Sequence, residues 1–252
     1  MDKLKVLETL HSTYENCQQC PKLCKSRTRT VFGYGSQDAK ILIVGQAPGE
    51  TEDNVGLPLI GPSGRILDYF LARAYSSKDD RFRKLVKDFK IQKGFSNRYN
   101  YTWGSLDKET NIYSSHWAVK QLLANDVFYT NLILCATEKD REPDKAEIDM
   151  CSARLRETIY TVDPIVIIAV GGLVLSSLFN KRGMNITKYK GQILDLAIPG
   201  KQTNIKYPVI PILPPAHLMR NPSMEEGTDW DLTEKAVQKA VSLQEEYLNV
   251  YA

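Results

Sequence analysis

Four short apolar runs, each ending in a polar loop rich in glycine or proline, constrain this chain more than any other feature. They are Lys40–Val44 (KILIV), Val127–Leu134 (VFYTNLIL), Ile165–Val170 (IVIIAV) and Tyr207–Leu213 (YPVIPIL, broken by prolines). Between and around them lie stretches with helical spacing. The first 15 residues carry Leu4, Val6, Leu7 and Leu10 on one face, and Arg65–Tyr75 carries Ile66, Leu67, Phe70 and Leu71. Ala146–Tyr160 and Leu232–Tyr247 read the same way. Apolar β-branched runs of this length suit strands buried on both faces, and strand alternating with helix implies a parallel sheet covered on both sides. In such sheets a ligand sits in the crevice beyond the carboxyl ends of the strands. The segments GQAPG, TNLILC, Gly171-Gly172 and PPAHLMR fall there.

Composition narrows the class further. The chain has 252 residues, 42% hydrophobic and 25% charged, close to an ordinary globular average and incompatible with overall disorder. No apolar run approaches the ~20 residues of a membrane span. The opening MDKLKVLETLHSTYENC mixes charges into an amphipathic pattern and predicts no signal peptide. Five cysteines, an odd number, argue against a disulfide framework and for a cytoplasmic protein with free or metal-bound thiols.

One region breaks the rhythm. From Ser76 to Asn125 there are ten Lys or Arg and five Asp or Glu, so this stretch is net +5 in a chain of net +3. It also holds Phe82, Phe89, Phe95, Tyr99, Tyr101, Trp103, Tyr113 and Trp117. Cations interleaved with flat rings are what a nucleic-acid surface needs. The competing reading is a helical insertion whose aromatics make a small core and whose lysines are solvated.

Cys17-x-x-Cys20 is a short chelating pair, and Cys135 with Cys151 forms a second, looser one. Four thiolates suit an iron–sulfur cluster or zinc, and spacing alone does not choose between them. Buried cysteines acting as small hydrophobes are the alternative.

The block CQQCPKLCKSRTRTVFGYGSQDAKILIVGQAPGETEDNVGLPLIGPSGRILDYFL, followed by YTNLILCATEKDREPDKAEIDMC, ITKYKG and PPAHLMRNP, resembles in order the motifs of the iron–sulfur uracil-DNA glycosylases of the family-4 type. The resemblance runs through almost everything outside 76–125. It implies one α/β domain over residues 1–252, built as three α/β/α layers around a short parallel sheet, with a basic and aromatic insertion at about 76–125. It also implies a [4Fe–4S] cluster held by Cys17, Cys20, Cys135 and Cys151, zinc being the lesser alternative. Cys24 has no counterpart in that pattern and reads as a free thiol.

The departures fall where the chemistry belongs. The family's GEAPG is GQAPG here, so Gln46 replaces a glutamate. The phenylalanine that stacks on the flipped base is Leu59, and the histidine that polarises the leaving pyrimidine is Pro214. Asn131, which reads the base edge, and the motif Arg220 are kept.

Removing a base requires flipping it out and stabilising a cation-like sugar and an anionic leaving group. Candidates to hold the attacking water are Gln46, Glu52 and Asp53, with Glu50 beside them; the two acids could equally cap the loop or pair with an arginine. Proline offers neither a side-chain donor nor an N–H, so His217 is the substitute donor to consider. Ala47, Pro48, Gly49, Leu59 and Asn131 are expected to line the base site. Ser63 and Arg65 at a helix start, with Leu218 and Arg220, are expected to meet DNA.

The resulting expectation is a monomeric, monofunctional DNA glycosylase that leaves an abasic site. Base–aromatic stacking is worth about 1–3 kcal/mol, so its loss at Leu59 favours a bulkier modified pyrimidine over uracil. A catalytically inactive DNA-binding protein on the same scaffold, and more weakly a redox sensor using the cluster and Cys24, are the rival readings.

Overall fold

The computed structural model describes residues 2–93, 99–199, 204–220 and 222–251; Phe95 lies outside them. In chain order the helices are α1 (Lys3–Glu15), α2 (Pro21–Ser26), α3 (Glu50–Val55), α4 (Pro62–Tyr75), α5 (Asp80–Val86), α6 (Ser114–Leu123), α7 (Lys145–Val162), α8 (Gly172–Leu178), α9 (Ile186–Tyr189), α10 (Pro215–Leu218) and α11 (Asp229–Tyr251). The strands are β1 (Gly33–Tyr34), β2 (Ile41–Gly45), β3 (Phe89–Lys93), β4 (Tyr99–Trp103), β5 (Leu106–Asp107), β6 (Ile112–Tyr113), β7 (Val127–Asn131), β8 (Val166–Val170), β9 (Leu194–Pro199) and β10 (Asn204–Ile212).

The four apolar runs form the centre of a six-stranded sheet of order β1-β7-β2-β8-β10-β9. Strands β7, β2, β8 and β10 run parallel, while β1 and β9 close the two edges antiparallel. The sheet is therefore mixed, with a parallel core as expected and two edge strands that the apolar pattern does not reveal. Successive side chains of a strand point to opposite faces, and β2 shows it plainly. Ile41 and Ile43 join a core with α4 and α11, whereas Leu42 and Val44 join another with α1, α7 and α8. These are the three layers.

Prolines do not break β10. The Pro211 carbonyl accepts from the Gly191 N–H, so its missing donor faces the outer side, beyond the point where β9 pairing ends at Val209. Helix α7 starts on a reciprocal cap: Asp144 accepts from the Glu147 N–H and Glu147 accepts from the Asp144 N–H.

The 76–125 segment packs onto the main core. Phe82, Tyr101 and Trp103 are buried. Phe89 stacks on Tyr69 with centroids 3.9 Å apart, and Tyr101 lies parallel to Trp230 of α11 at 6.4 Å. These rings are spent on packing, so the base-stacking surface expected of this segment is corrected to a small aromatic core. That core is built on hairpins as well as helices. Among the described residues no helix is long and apolar enough to cross a membrane.

Candidate active site

The carboxyl ends of the two central strands bring Gly45 and Asn131 together as register partners. Gly45 is required there: a Cβ would lie 2.3 Å from Asn131 Oδ1 and 3.3 Å from Leu59 Cδ2. Asn131, Leu59 and the loop after β2 thus meet at one point. Asn131 is 1% exposed, and neither its Oδ1 nor its Nδ2 has a hydrogen-bond partner. An amide buried with both polar groups unpaired costs about 1–3 kcal/mol per group. Its backbone is held firmly: the buried Arg154 of α7 donates to Thr130 Oγ1, Asn131 O and Leu132 O at 3.0, 2.8 and 3.1 Å.

The loop after β2 carries Gln46 and Ala47, both half-buried, then the buried Pro48 and half-buried Gly49. The Gln46 carbonyl accepts from Ile133, while its side-chain amide makes no hydrogen bond among the described residues. The two acids that follow are not free to serve as bases. Glu52 accepts from the N–H groups of Gly49, Ile60 and Gly61 at 3.2, 3.0 and 2.7 Å. Asp53 accepts from Thr28 and Arg29 at 2.7 and 3.3 Å. Both are buried. The catalytic expectation for Glu52 and Asp53 is therefore corrected: they are clamps that tie the N-terminal segment and the 57–61 loop to α3. Glu50, at the exposed start of α3, is not clamped in this way.

Leu59 is 8% exposed with φ of 52°, a left-handed conformation that costs a branched side chain roughly 1–2 kcal/mol. Its side chain leans toward Gly45 and Asn131 instead of vacating space. The two cavities found, of about 390 and about 500 Å³, are lined by other residues. Leu59 lines neither, so these two cavities do not supply the extra room expected for a bulky base.

Beneath Leu59 lies a polar cluster that sequence reasoning missed. Asp68 of α4 receives the Tyr129 hydroxyl on Oδ1 at 2.8 Å, and Lys120 Nζ and His116 Nε2 on Oδ2 at 3.1 and 2.9 Å. All four residues are fully buried. Burial alone would raise the Asp68 carboxyl, but Lys120, then His116 and Tyr129, hold it below the usual carboxylate value. Burial pushes the His116 imidazole below its ordinary value, so the neutral ring donates from Nε2 and leaves Nδ1 without a partner. Two signals were available: a lone Asp inside the apolar run ILDYFLA, and a His and a Lys four apart on one helix face.

Several expected DNA contacts are repositioned. Arg65 is buried, donates to the Tyr101 carbonyl and lies 4.2 Å from the Tyr113 ring centroid. It braces the 76–125 segment and is not available to a phosphate. Leu218 is 1% exposed within the core, which removes it as a wedge. Ser63 stays half-buried in the first turn of α4, and Arg220 is exposed. His217 is exposed and bonds Asp229 through Nε2 at 2.9 Å; that contact and Lys190, the larger influence, hold the Asp229 carboxyl below its usual value. The cleft of about 390 Å³ is lined by His217, Leu218, Arg220, Ser223, Thr228 and Asp229. Asn131 is not among those residues, so His217 and the Asn131 amide are not brought together there. Pro214 caps α10, with its ring 3.1 Å from where a Gly171 Cβ would stand.

The cysteines gather from three segments. All five are free thiols. Burial, then Cys151 and Cys17, raises the Cys20 thiol to about 11. Burial outweighs Arg27 and brings Cys135 to about 11. Arg27 Nη1 donates to Cys135 Sγ at 2.7 Å, and Arg154 lies beside Cys151. Thiols from the three segments thus influence one another, and the guanidiniums of Arg27 and Arg154 stand beside Cys135 and Cys151. Among the described residues no group of three or more His, Cys, Asp or Glu is placed to hold a single metal ion. Cys24 Sγ lies 3.6 Å from the Cys17 carbonyl.

Comparison with known proteins follows this geometry. The family model described as "Uracil DNA glycosylase superfamily" matches residues 32–241. A type-4 uracil-DNA glycosylase of Saccharolobus solfataricus is 28% identical over 239 residues, covering 94% of this chain and 87% of that protein. One from Thermotoga maritima is 27% identical over 221 residues, covering 88% and 87%. One from Pyrobaculum aerophilum is 25% identical over 226 residues, covering 90% and 91%.

Proposed function

From the premise that this chain belongs to the uracil-DNA glycosylase superfamily, and is a DNA glycosylase of the type-4 kind, we propose that it hydrolyses the N-glycosidic bond of uracil flipped out of DNA and leaves an abasic site. The observation that carries this reading is the Asn131 amide, buried at the end of β7 with both polar atoms unpaired. An amide presents one donor and one acceptor in a plane, the complement of the O4 acceptor and N3–H donor on a uracil edge. The type-4 relatives support uracil as the base, and the close packing of Leu59 against Gly45 favours an unsubstituted pyrimidine over a bulky one.

In this mechanism the base enters beyond β2 and β7 and is read by Asn131 against the Leu59 side chain. Gln46 orients a water toward the sugar carbon through its free amide; it does not accept the proton, which leaves the water as its oxygen bonds to the sugar carbon and ends, through solvent, on the departed uracil anion. With Glu52 and Asp53 committed to backbone N–H groups, the reaction relies on departure of the base as an anion more than on a strong general base. Pro214 supplies no donor to that anion, and a missing donor of this kind costs a factor of about 10²–10³. Slow turnover is expected. Ser63 and Arg220 would meet backbone phosphates.

Cys17, Cys20, Cys135 and Cys151 would hold a [4Fe–4S] cluster. Bound there, it supplies a cross-link between the N-terminal turn, the segment after β7 and α7, and no step of base hydrolysis.

The test is base release from single- and double-stranded oligonucleotides containing uracil, thymine or a 5-hydroxymethyl pyrimidine, read by mass spectrometry of the free base and alkali cleavage of abasic sites. Uracil is the expected product. Release of the 5-substituted base alone would overturn the substrate, and salt-sensitive binding with no release at all would overturn the reaction.

A further inference from the structure

The peptide joining Leu59 to Ile60 is gripped at both ends. Its carbonyl accepts from Lys120 Nζ at 2.9 Å, and its N–H donates to Glu52 Oε1 at 3.0 Å. Lys120 belongs to α6 and is fully buried. Its charge is matched by Asp68, which is itself held by His116 and Tyr129, and its ammonium lies 3.4 Å from the Tyr129 ring centroid. The orientation of a peptide plane sets ψ of the residue before it and φ of the residue after it, so this two-sided grip fixes the Leu59 ψ and the Ile60 φ, next to a Leu59 backbone that stands at φ of 52°. Gly64 completes the arrangement: any Cβ there would lie 1.8 Å from the Leu59 carbonyl oxygen. That oxygen is left facing Lys120.

We propose that Lys120 is a positioning residue for base recognition: with Glu52 it locks the Leu59–Ile60 peptide, and thereby sets the surface that Leu59 presents to the flipped base beside Asn131. The inference rests on the proposed base site. It assigns the 76–125 segment a role in shaping that site from below, where the sequence left a DNA-facing surface and a small aromatic core both open. Burial pushes the Lys120 ammonium below its ordinary value and Asp68 opposes that; His116 and Tyr129 orient Asp68, and none of the four touches substrate.

Two measurements test it. The first is amide hydrogen exchange across 57–61 in Lys120→Arg, which keeps the buried charge pair, and in Lys120→Met with Asp68→Asn, which removes both charges. Exchange at Ile60 and Gly61 should quicken at least about tenfold while amides of β2 and β8 keep their protection. Unchanged exchange at 60 and 61 overturns the lock, even in a chain that releases no base.

The second is a double-mutant cycle on kcat/KM for uracil release, pairing each Lys120 variant with Leu59→Ala. Each change alone should lower kcat/KM about tenfold, mainly through KM. Combined, they should cost little more than Leu59→Ala alone. Additive losses overturn the role in recognition, because damage that does not pass through Leu59 would add. Failure of the wild-type chain to release uracil overturns the proposed reaction instead, and the exchange result is read separately.

Discussion

Asn131→Leu separates stability from function in a way the geometry makes quantitative. Leucine branches at the same carbon as asparagine, so its two methyls stand where Oδ1 and Nδ2 now stand, beside Gly45 and Leu59. Those two atoms are buried and unpaired, and relieving each is worth about 1–3 kcal/mol. Allowing for imperfect fit of the larger methyls, the folded state should gain about 1–3 kcal/mol in total. In a chain of this size that is a rise of roughly 2–10 °C in the unfolding midpoint. The same change removes one donor and one acceptor from the bound base, leaving its edge unpaired at a cost of about 2–6 kcal/mol, or roughly 30-fold to 10⁴-fold in kcat/KM. Scanning calorimetry of both proteins and single-turnover release of uracil from a labelled oligonucleotide give the two numbers. A more stable, nearly inactive protein is the expected result. A midpoint lowered by several degrees would mean the amide is bonded within the fold, and activity within about threefold of wild type would mean it does not read the base; either refutes the reasoning.

Four further outcomes follow from the same structure. Cys135→Ala should cost brown colour and solubility together, measured by visible absorbance and the soluble fraction; a soluble, colourless, active protein would show the cluster is not a structural tie. Arg220→Ala should weaken DNA binding similarly across sequences and lower the slope of log K against log salt by about one. Arg65→Ala should leave that slope unchanged and lower the unfolding midpoint, since Arg65 is buried against Tyr101 and Tyr113; a changed slope would return it to the DNA surface. His116, held below its ordinary value by burial, binds its proton less readily folded than unfolded. Stability is thus fully present above the unfolded value of about 6.5 and falls as pH drops below it. His116→Phe should flatten the melting midpoint between about pH 6.5 and pH 5, and an equally steep fall in that variant would place the proton uptake elsewhere.

The parallel core was legible because each of its strands carries its own signal, an unbroken apolar run ending in a turn. The edges were not: β1 is two residues long, and β9 is defined by pairing with β10 more than by pattern. Prolines 208 and 211 misread β10 as broken, since their tolerance depends on which neighbour each missing N–H faces. At the site, Gly45, Asn131 and the glycine-bearing loops could be found from their position after strands. What Glu52 and Asp53 do could not, because their partners are N–H groups of residues 28, 29, 60 and 61, set by the way distant loops fold together. Lys120 counts among the ten cations of a segment whose composition leaves a nucleic-acid surface and a small core with solvated lysines both open, for a related reason. Burial of a charge is decided by a partner 48 to 52 residues away in sequence, Asp68, so the lone acid in ILDYFLA and the His116–Lys120 spacing take their meaning only from each other.

That contrast bears on which residues argue for activity. A carboxylate that clamps two loops is retained by any chain that needs the loops, active or not, so Glu52 and Asp53 say nothing about catalysis. Lys120 and Asp68 satisfy one another and return stability to the fold. Asn131 returns none: its backbone carbonyl is held by Arg154 and its side chain is left with both polar atoms unpaired. A scaffold under selection for folding alone would shed such a residue by any of several apolar substitutions, because most of them would stabilise it. An amide held in place at a net energetic loss, at the strand ends where ligands enter sheets of this kind, is therefore a stronger argument for a working base site than every retained acid in the loop beside it.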